Sequence, residues 1–246
     1  MAASVQRPYH ASMNRPRTAQ LPDPLPPEPL QLAERWLKEA FDEQVQPNPN
    51  AMVLATVDHA GQPSARVVLC KDIVLPEGYL VFYTNYESKK GQEMAHAPRA
   101  AAVFFWDTLH RQVRVEGPVV RSPASESDDY FASRPWQSRL GAWASAQSRP
   151  VGTRRQLLDA LAREAARFGA PVSGPDDPSL DDEHPGVPVP RPPHWGGYRL
   201  WAESVELWVQ GAHRIHDRAR WSRTLTALGD GHRFHPSPWH VTRLQP

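Results

Sequence analysis

Cysteine is nearly absent from this sequence. Cys70 stands alone among 246 residues, which excludes a disulfide within the chain and a small stapled secreted fold. Long apolar runs are missing too. No stretch approaches the roughly 18 residues that would suggest a membrane span. The opening MAASVQRPYH lacks the apolar core of a signal peptide. Net charge is only +1, so the overall balance gives no argument for nucleic acid. No GxSxG, Walker, GxGxxG or HExxH pattern occurs. These absences predict a cytoplasmic protein with no membrane segment and little acid–base machinery of its own.

Proline is in excess, at 27 residues, but unevenly. Seven fall in residues 1–29 and eight in residues 171–193. Residues 1–27 are polar and aperiodic, and read as a flexible arm. Residues 170–193 read as a long acidic loop. Between and after them the chain reads as one domain over 28–246.

A helix is predicted from Glu28, with Pro29 in its first turn and Leu32, Trp36, Leu37, Ala40 and Phe41 on one face. Strands follow at Met52–Val57, Arg66–Cys70 and Tyr79–Thr84. Ser88 caps a short basic helix, Lys89–His96, which Pro98 closes. Two more strands are expected at Ala100–Trp106 and Gln112–Val120. A helical block comes next. Ser122-Pro123 and Pro135 each start a helix, and a third spans Thr153–Phe168, with Leu157, Leu161, Ala165 and Phe168 on one face and Gly169 past its end. Strands return at Tyr198–Val209, His213–Trp221 and Trp239–Leu244. The order predicts a mainly β, α+β fold: an antiparallel sheet closed as a barrel, with helices packed outside.

Four clusters stand out. Arg66 and Lys71 bracket one strand; on a regular strand their spacing sends them to opposite faces. Tyr83-Thr84-Asn85 leads into Ser88-Lys89-Lys90, where helix N–H groups, a hydroxyl and two ammonium groups make an anion site. Tyr130 and Arg134 share a helix face at i and i+4, with Ser138 in the next helix, which suits a second phosphate. In His213–Arg218, strand alternation puts Arg214, His216 and Arg218 on one face, a cationic row that wants an anionic partner. No metal is expected, since His213 and His216 would face apart. Two anion sites with no catalytic signature suit a protein whose cofactor carries the hard chemistry.

Several stretches, in order, resemble the pyridoxine (pyridoxamine) 5′-phosphate oxidase family: AMVLATVDHAGQPSARVVLCK, LVFYTNYESKKGQEM, RQVRVEG, YFASRPWQSRLGAWASAQS, HWGGYRL and LWVQGAHRIHDR. The resemblance covers about residues 28–168 and 194–246. It implies an FMN-binding split barrel that works as a homodimer with FMN at the subunit interface. Positions matching the family's FMN contacts are Arg66, Lys71, Tyr83, Thr84, Ser88, Lys89, Lys90, Gln112, Gln147, Ser148, Trp208 and Arg218. Lys71, Tyr130, Arg134 and Ser138 match those that hold the substrate phosphate. Arg214 and His216 match the catalytic pair over the flavin.

The implied reaction moves a hydride from C4′ of pyridoxine or pyridoxamine 5′-phosphate to the flavin. O2 then reoxidises the flavin and gives H2O2, and the amine substrate also yields ammonia. Asn48 stands where the family commonly has an acidic residue, and Lys89 where many members have Arg. Arg7 and Tyr9 are candidates for an arm over the substrate. Two alternatives differ in kind: an FMN oxidase of the same fold on another substrate, as in phenazine biosynthesis, and a non-enzymatic carrier of flavin or pyridoxal phosphate.

Overall fold

A computed structural model describes residues 20–170, 174–181 and 186–246, so Arg7 and Tyr9 lie outside the described residues. Helix α1 (Pro29–Asp42) starts where Glu28 turns its carboxylate back onto the Leu30 N–H. Its buried stripe is Leu32, Ala33, Trp36 and Ala40, while Phe41, predicted on that face, is exposed. Strands β1 (Ala51–Val57) and β2 (Pro63–Leu69) form a hairpin, and β3 (Asp72–Val74) and β4 (Tyr79–Asn85) form another. Helix α2 (Lys89–His96) begins at Ser88 as expected. Strands β5 (Arg99–Trp106) and β6 (Arg111–Arg121) complete the first half.

Helices α3 (Ala124–Ala132), α4 (Trp136–Ala144) and α5 (Arg154–Arg167) follow. Strands β7 (Trp195–Trp201), β8 (Ser204–Val209), β9 (Asp217–Ser222), β10 (Leu225–Leu228), β11 (Arg233–Pro236) and β12 (His240–Leu244) close the chain. The main sheet runs β12-β9-β8-β6-β5-β1-β2, with antiparallel ladders throughout. Strand β6 divides it. Arg111–Glu116 pair with β8, whereas Val119–Arg121 pair with β7, which leads on to β4. This is the antiparallel split barrel with outer helices that the sequence order predicts.

Alternation separates the two faces of the sheet. Met52, Leu54, Phe104, Val113, Val115, Val205, Leu207, Ala219 and Trp221 point into the core. A second apolar cluster, Phe131, Trp136, Leu140, Ala165 and Trp195, joins the helices to β7. Among the described residues no helix is long and apolar enough to cross a membrane.

Several local predictions are corrected. The run 198–209 is two strands. Ala202 and Glu203 leave the ladder, donating instead to the carbonyls of Gly78 and Glu116. The run 213–221 is a strand only from Asp217. Residues Ala212–Arg214 form a 3-10 turn, so alternation does not align Arg214 with His216 and Arg218. Ser122 does not cap α3: Pro123 precedes the helix, and the Ser122 Oγ is buried without a partner. Leu157 is exposed, and Ala162 shares the buried face of α5 with Ala165. Residues 20–27, assigned above to the arm, pack on this chain's own C-terminal strands. Leu21 is buried and its N–H donates to Asp217, while the Trp221 indole N–H donates to the Pro26 carbonyl.

Candidate functional site

A cleft of about 610 Å³ lies between the β2 and β4 strands and the start of α4. It gathers Arg66, Lys71, Tyr83, Thr84, Lys90, Tyr130, Arg134, Ser138 and Gln147. Arg66 and Lys71 share it because β2 ends at Leu69. The Lys71 N–H then donates to the Val81 carbonyl, which releases its side chain from strand alternation.

The hydroxyl- and ammonium-rich end is built on α2. The Ser88 Oγ accepts the Gly91 N–H and donates to the Asn85 carbonyl. Lys90 Nζ donates to Thr84 Oγ1, Ser88 Oγ and Gln147 Oε1 at 2.8, 3.1 and 2.6 Å. All three acceptors are neutral, and no carboxylate pairs with Lys90 among the described residues. Burial, reinforced by the nearby Arg66 charge and opposed by Glu93, pushes its ammonium down to about 8.

Below it, Glu93 is buried and accepts from Thr56, Ser64, Arg66 and Lys89. Burial pushes this carboxyl up, but the bonds from Lys89, Thr56 and Ser64 outweigh that and hold it at about 2. Arg66 also donates to the Leu54 carbonyl and the Thr56 and Ser64 hydroxyls, so its guanidinium is fixed from four sides.

The other end is aromatic and cationic. Tyr83 stacks on Tyr130 at 3.9 Å between centroids, and Trp195 lies nearly parallel to both, 5.5 Å from Tyr83. Lys71 Nζ stands 5.7 Å from the Tyr130 ring and the Arg134 guanidinium 4.6 Å from the Trp195 ring. Neither cation has a carboxylate partner among the described residues. Burial lowers the Arg134 pKa, and Arg134 Nη1 is buried with no hydrogen-bond acceptor. Trp195 was not predicted as a site residue; its signal was an aromatic beside the paired glycines of HWGG.

The remaining predicted residues are elsewhere. Gln112, Trp208 and Arg218 sit directly across from one another on β6, β8 and β9. They occupy the outer face, whereas Arg66 pairs with core-facing Leu54 and belongs to the inner one. From β2 to β9 is five strand steps, about 24 Å along the sheet. Glu206 holds Arg218 through Nε and Nη2 at 3.0 and 2.9 Å.

Next to this row, residues 211–216 make a tight turn. His213 and Arg214 both take left-handed backbone, at φ 53° and 64°. A Cβ at Gly211 would run into the Ile215 carbonyl oxygen, so glycine is required there. The Gly211 N–H donates to His216 Nδ1 at 3.2 Å, so a neutral ring carries its hydrogen on Nε2. The His216 ring packs on Trp208 at 4.7 Å, and Arg214 is exposed. Ser148 follows Gln147 in left-handed backbone and does not line the cleft. The structure therefore brings together six of the predicted cofactor positions and all four substrate-phosphate positions. The predicted catalytic pair, Arg214 and His216, does not line this cleft.

Comparison with known proteins yields a consistent set of relatives. The family described as "Pyridoxamine 5′-phosphate oxidase" matches residues 37–167, and "Pyridoxine 5′-phosphate oxidase C-terminal dimerisation region" matches residues 195–246. A pyridoxine/pyridoxamine 5′-phosphate oxidase of Burkholderia mallei is 48% identical over 221 residues, 89% of this chain and 90% of that protein. One from Burkholderia pseudomallei is 47% identical over the same shares. Among solved structures, PhzG from Burkholderia lata, in complex with tetrahydrophenazine-1-carboxylic acid, superposes with a TM-score of 0.74. It has 29% identity and covers 91% of this chain and 95% of its own. An FMN-binding protein from Nostoc punctiforme, at 15% identity and TM-score 0.61 over 89% of this chain and 98% of its own, shares the fold.

Proposed function

The chain belongs to the pyridoxamine 5′-phosphate oxidase family, and from that premise we propose that it converts pyridoxine or pyridoxamine 5′-phosphate to pyridoxal 5′-phosphate with FMN. The alcohol and O2 give aldehyde and H2O2. The amine, O2 and water give aldehyde, ammonia and H2O2. The observation that carries the reading is the set of unpaired cations in one cleft. Lys90, Lys71 and Arg134 are held by neutral hydroxyl, amide and aromatic groups rather than by carboxylates. Such a cleft favours anions at both ends.

The residues present fit the cofactor. Lys90, Arg66, Ser88 and Lys89 would hold the FMN phosphate at the start of α2, with Thr84 and Gln147 setting the Lys90 ammonium. Bound FMN would supply a two-electron acceptor that O2 regenerates. Lys71, Tyr130, Arg134 and Ser138 would hold the substrate phosphate. That fixes the reacting carbon by its far end, so the protein contributes orientation and charge matching. His216 would offer an Nε2–H to a substrate oxygen, and Arg214 would cover the substrate ring.

Gln112, Trp208 and Arg218 stand three to five strand steps from β2, and His216 packs on Trp208, so we infer that a second copy brings this row and the turn carrying Arg214 to the cleft. The matched dimerisation region supports a homodimer.

The test is spectroscopic. The purified protein should be yellow, and pyridoxine 5′-phosphate added without O2 should bleach it and yield aldehyde. Bound FMN with no turnover of either phosphate ester would overturn the reading. Turnover of a reduced phenazine carboxylate in its place would favour the activity suggested by the PhzG likeness.

A further inference from the structure

Arg134 is an unusual cation. Its guanidinium has no acid beside it among the described residues, and Nη1 is buried with no acceptor. Two ring systems hold it: Trp195 at 4.6 Å and Phe131 at 5.4 Å from the ring centroids. A carboxylate partner would cancel its charge and occupy its donors. A ring holds the cation without cancelling its charge and offers no lone-pair acceptor to its five in-plane N–H donors.

We propose that Trp195 is a positioning residue for Arg134. The indole face holds the guanidinium in place and leaves its charged edge for a phosphate monoester. This rests on the substrate-phosphate reading of the cleft given above.

The indole is well fixed for such a task. Trp195 is 7% exposed and begins β7 opposite Asn85. Its backbone N–H donates to the Pro192 carbonyl, and its backbone carbonyl accepts from Arg191 Nη1 at 2.7 Å. Arg191 in turn pairs through Nε with Asp128 on α3, at 2.7 Å. The ring completes a near-parallel stack with Tyr83 and Tyr130. The helix that carries Tyr130 is thus tied, through Asp128 and Arg191, to the residue that holds Arg134. Two of the phosphate-binding side chains are fixed by one assembly.

The experiment compares Trp195→Leu, Trp195→Phe, Arg134→Ala and the double variant Trp195→Leu/Arg134→Ala, all as FMN-loaded protein. Three quantities are read: steady-state constants for pyridoxine 5′-phosphate, the FMN dissociation constant from flavin fluorescence, and calorimetric affinity for inorganic phosphate. Trp195→Leu should raise KM about tenfold, between the sizes of an exposed and a desolvated cation–π contact, with kcat and FMN affinity held within about twofold. Trp195→Phe, which keeps a π face, should recover most of that loss. In the Arg134→Ala background Trp195→Leu should add less than about twofold, because the two act as one unit.

Additive losses in the double variant would overturn the proposal, as would an unchanged KM in Trp195→Leu. If the parent protein turns over no phosphate ester, the functional reading fails. Phosphate calorimetry then decides the inference: weakening of about tenfold in Trp195→Leu supports it, and equal affinity overturns it.

Discussion

A half-buried lysine without an acid partner among the described residues makes two opposite demands on pH. Lys90 is charged below about 8, while in the unfolded chain it keeps its proton to about 10.5. Between those values the unfolded chain binds more protons, so this group's contribution to the stability of the cofactor-free protein rises with pH. Affinity for a dianionic phosphate runs the other way, since the ammonium that attracts it is lost as pH passes about 8. Titration of FMN across pH 7 to 10 should show weakening, and denaturant unfolding of the cofactor-free protein should not follow it. Lys90→Met should weaken FMN about tenfold or more at neutral pH and flatten the alkaline limb. A variant that keeps the limb would assign it to another group. Arg214 makes a different prediction. It is exposed on a left-handed turn and does not line the cleft of its own chain, so Arg214→Ala should lower kcat while FMN stays bound. Loss of FMN in that variant would make its role structural.

At the scale of elements, two positions separate structure from chemistry. Thr153 caps α5 with a full capping box, its Oγ1 accepting the Gln156 N–H while the Gln156 side chain accepts the Thr153 N–H. Thr153→Ala should cost about 1 kcal/mol in denaturant unfolding and leave KM and kcat alone. Gly211→Ala should do the reverse, since its Cβ meets a carbonyl inside the turn that carries Arg214. Turnover should fall well beyond any change in the unfolding midpoint. Equal effects on both would show the turn to be only a scaffold.

Elements with a local signal were legible in the sequence. The helix at Lys89–His96 follows from its Ser88 cap, and the β1–β2 hairpin from Asp58–Pro63. What escaped is non-local. Alternation over His213–Trp221 looks regular, yet a carbonyl packed against Gly211 turns the chain before Asp217. The hairpin β10–β11 was missed although Gly229-Asp230-Gly231 marks its turn. Trp195 reads as an ordinary core aromatic until its face is seen against Arg134. The nine cleft positions were found because motifs matched. Their separation from the Gln112–Trp208–Arg218 row was invisible, because it depends on strand order.

On the scale of the whole molecule, that division is the central fact. The outer face carries the Gln112–Trp208–Arg218 row and also Val53, Val67 and Phe105, which are exposed at 41, 64 and 49%. Val53 lies directly across from Val67 and from Val103, so the apolar side chains form a continuous strip over β2, β1 and β5. In the proposed homodimer this strip would face the second copy. A two-fold axis through it would then bring each chain's outer row toward the other chain's cleft and make two equivalent sites. Phe105→Glu should therefore shift the protein toward monomer in sedimentation and lose activity together with the dimer.

Hybrids test the division directly. Arg134→Glu spoils the cleft of one chain, and Arg214→Ala spoils the turn of the other. Each variant alone is defective at both of its sites. In a hybrid isolated with two tags, one site collects both lesions and the other collects neither. Activity should then return to about half that of the parent dimer, because one of two symmetric sites is intact. Were each chain to build its site alone, both chains of the hybrid would stay defective and no activity would return. Recovery therefore reports which chain supplies Arg214 to a given cleft.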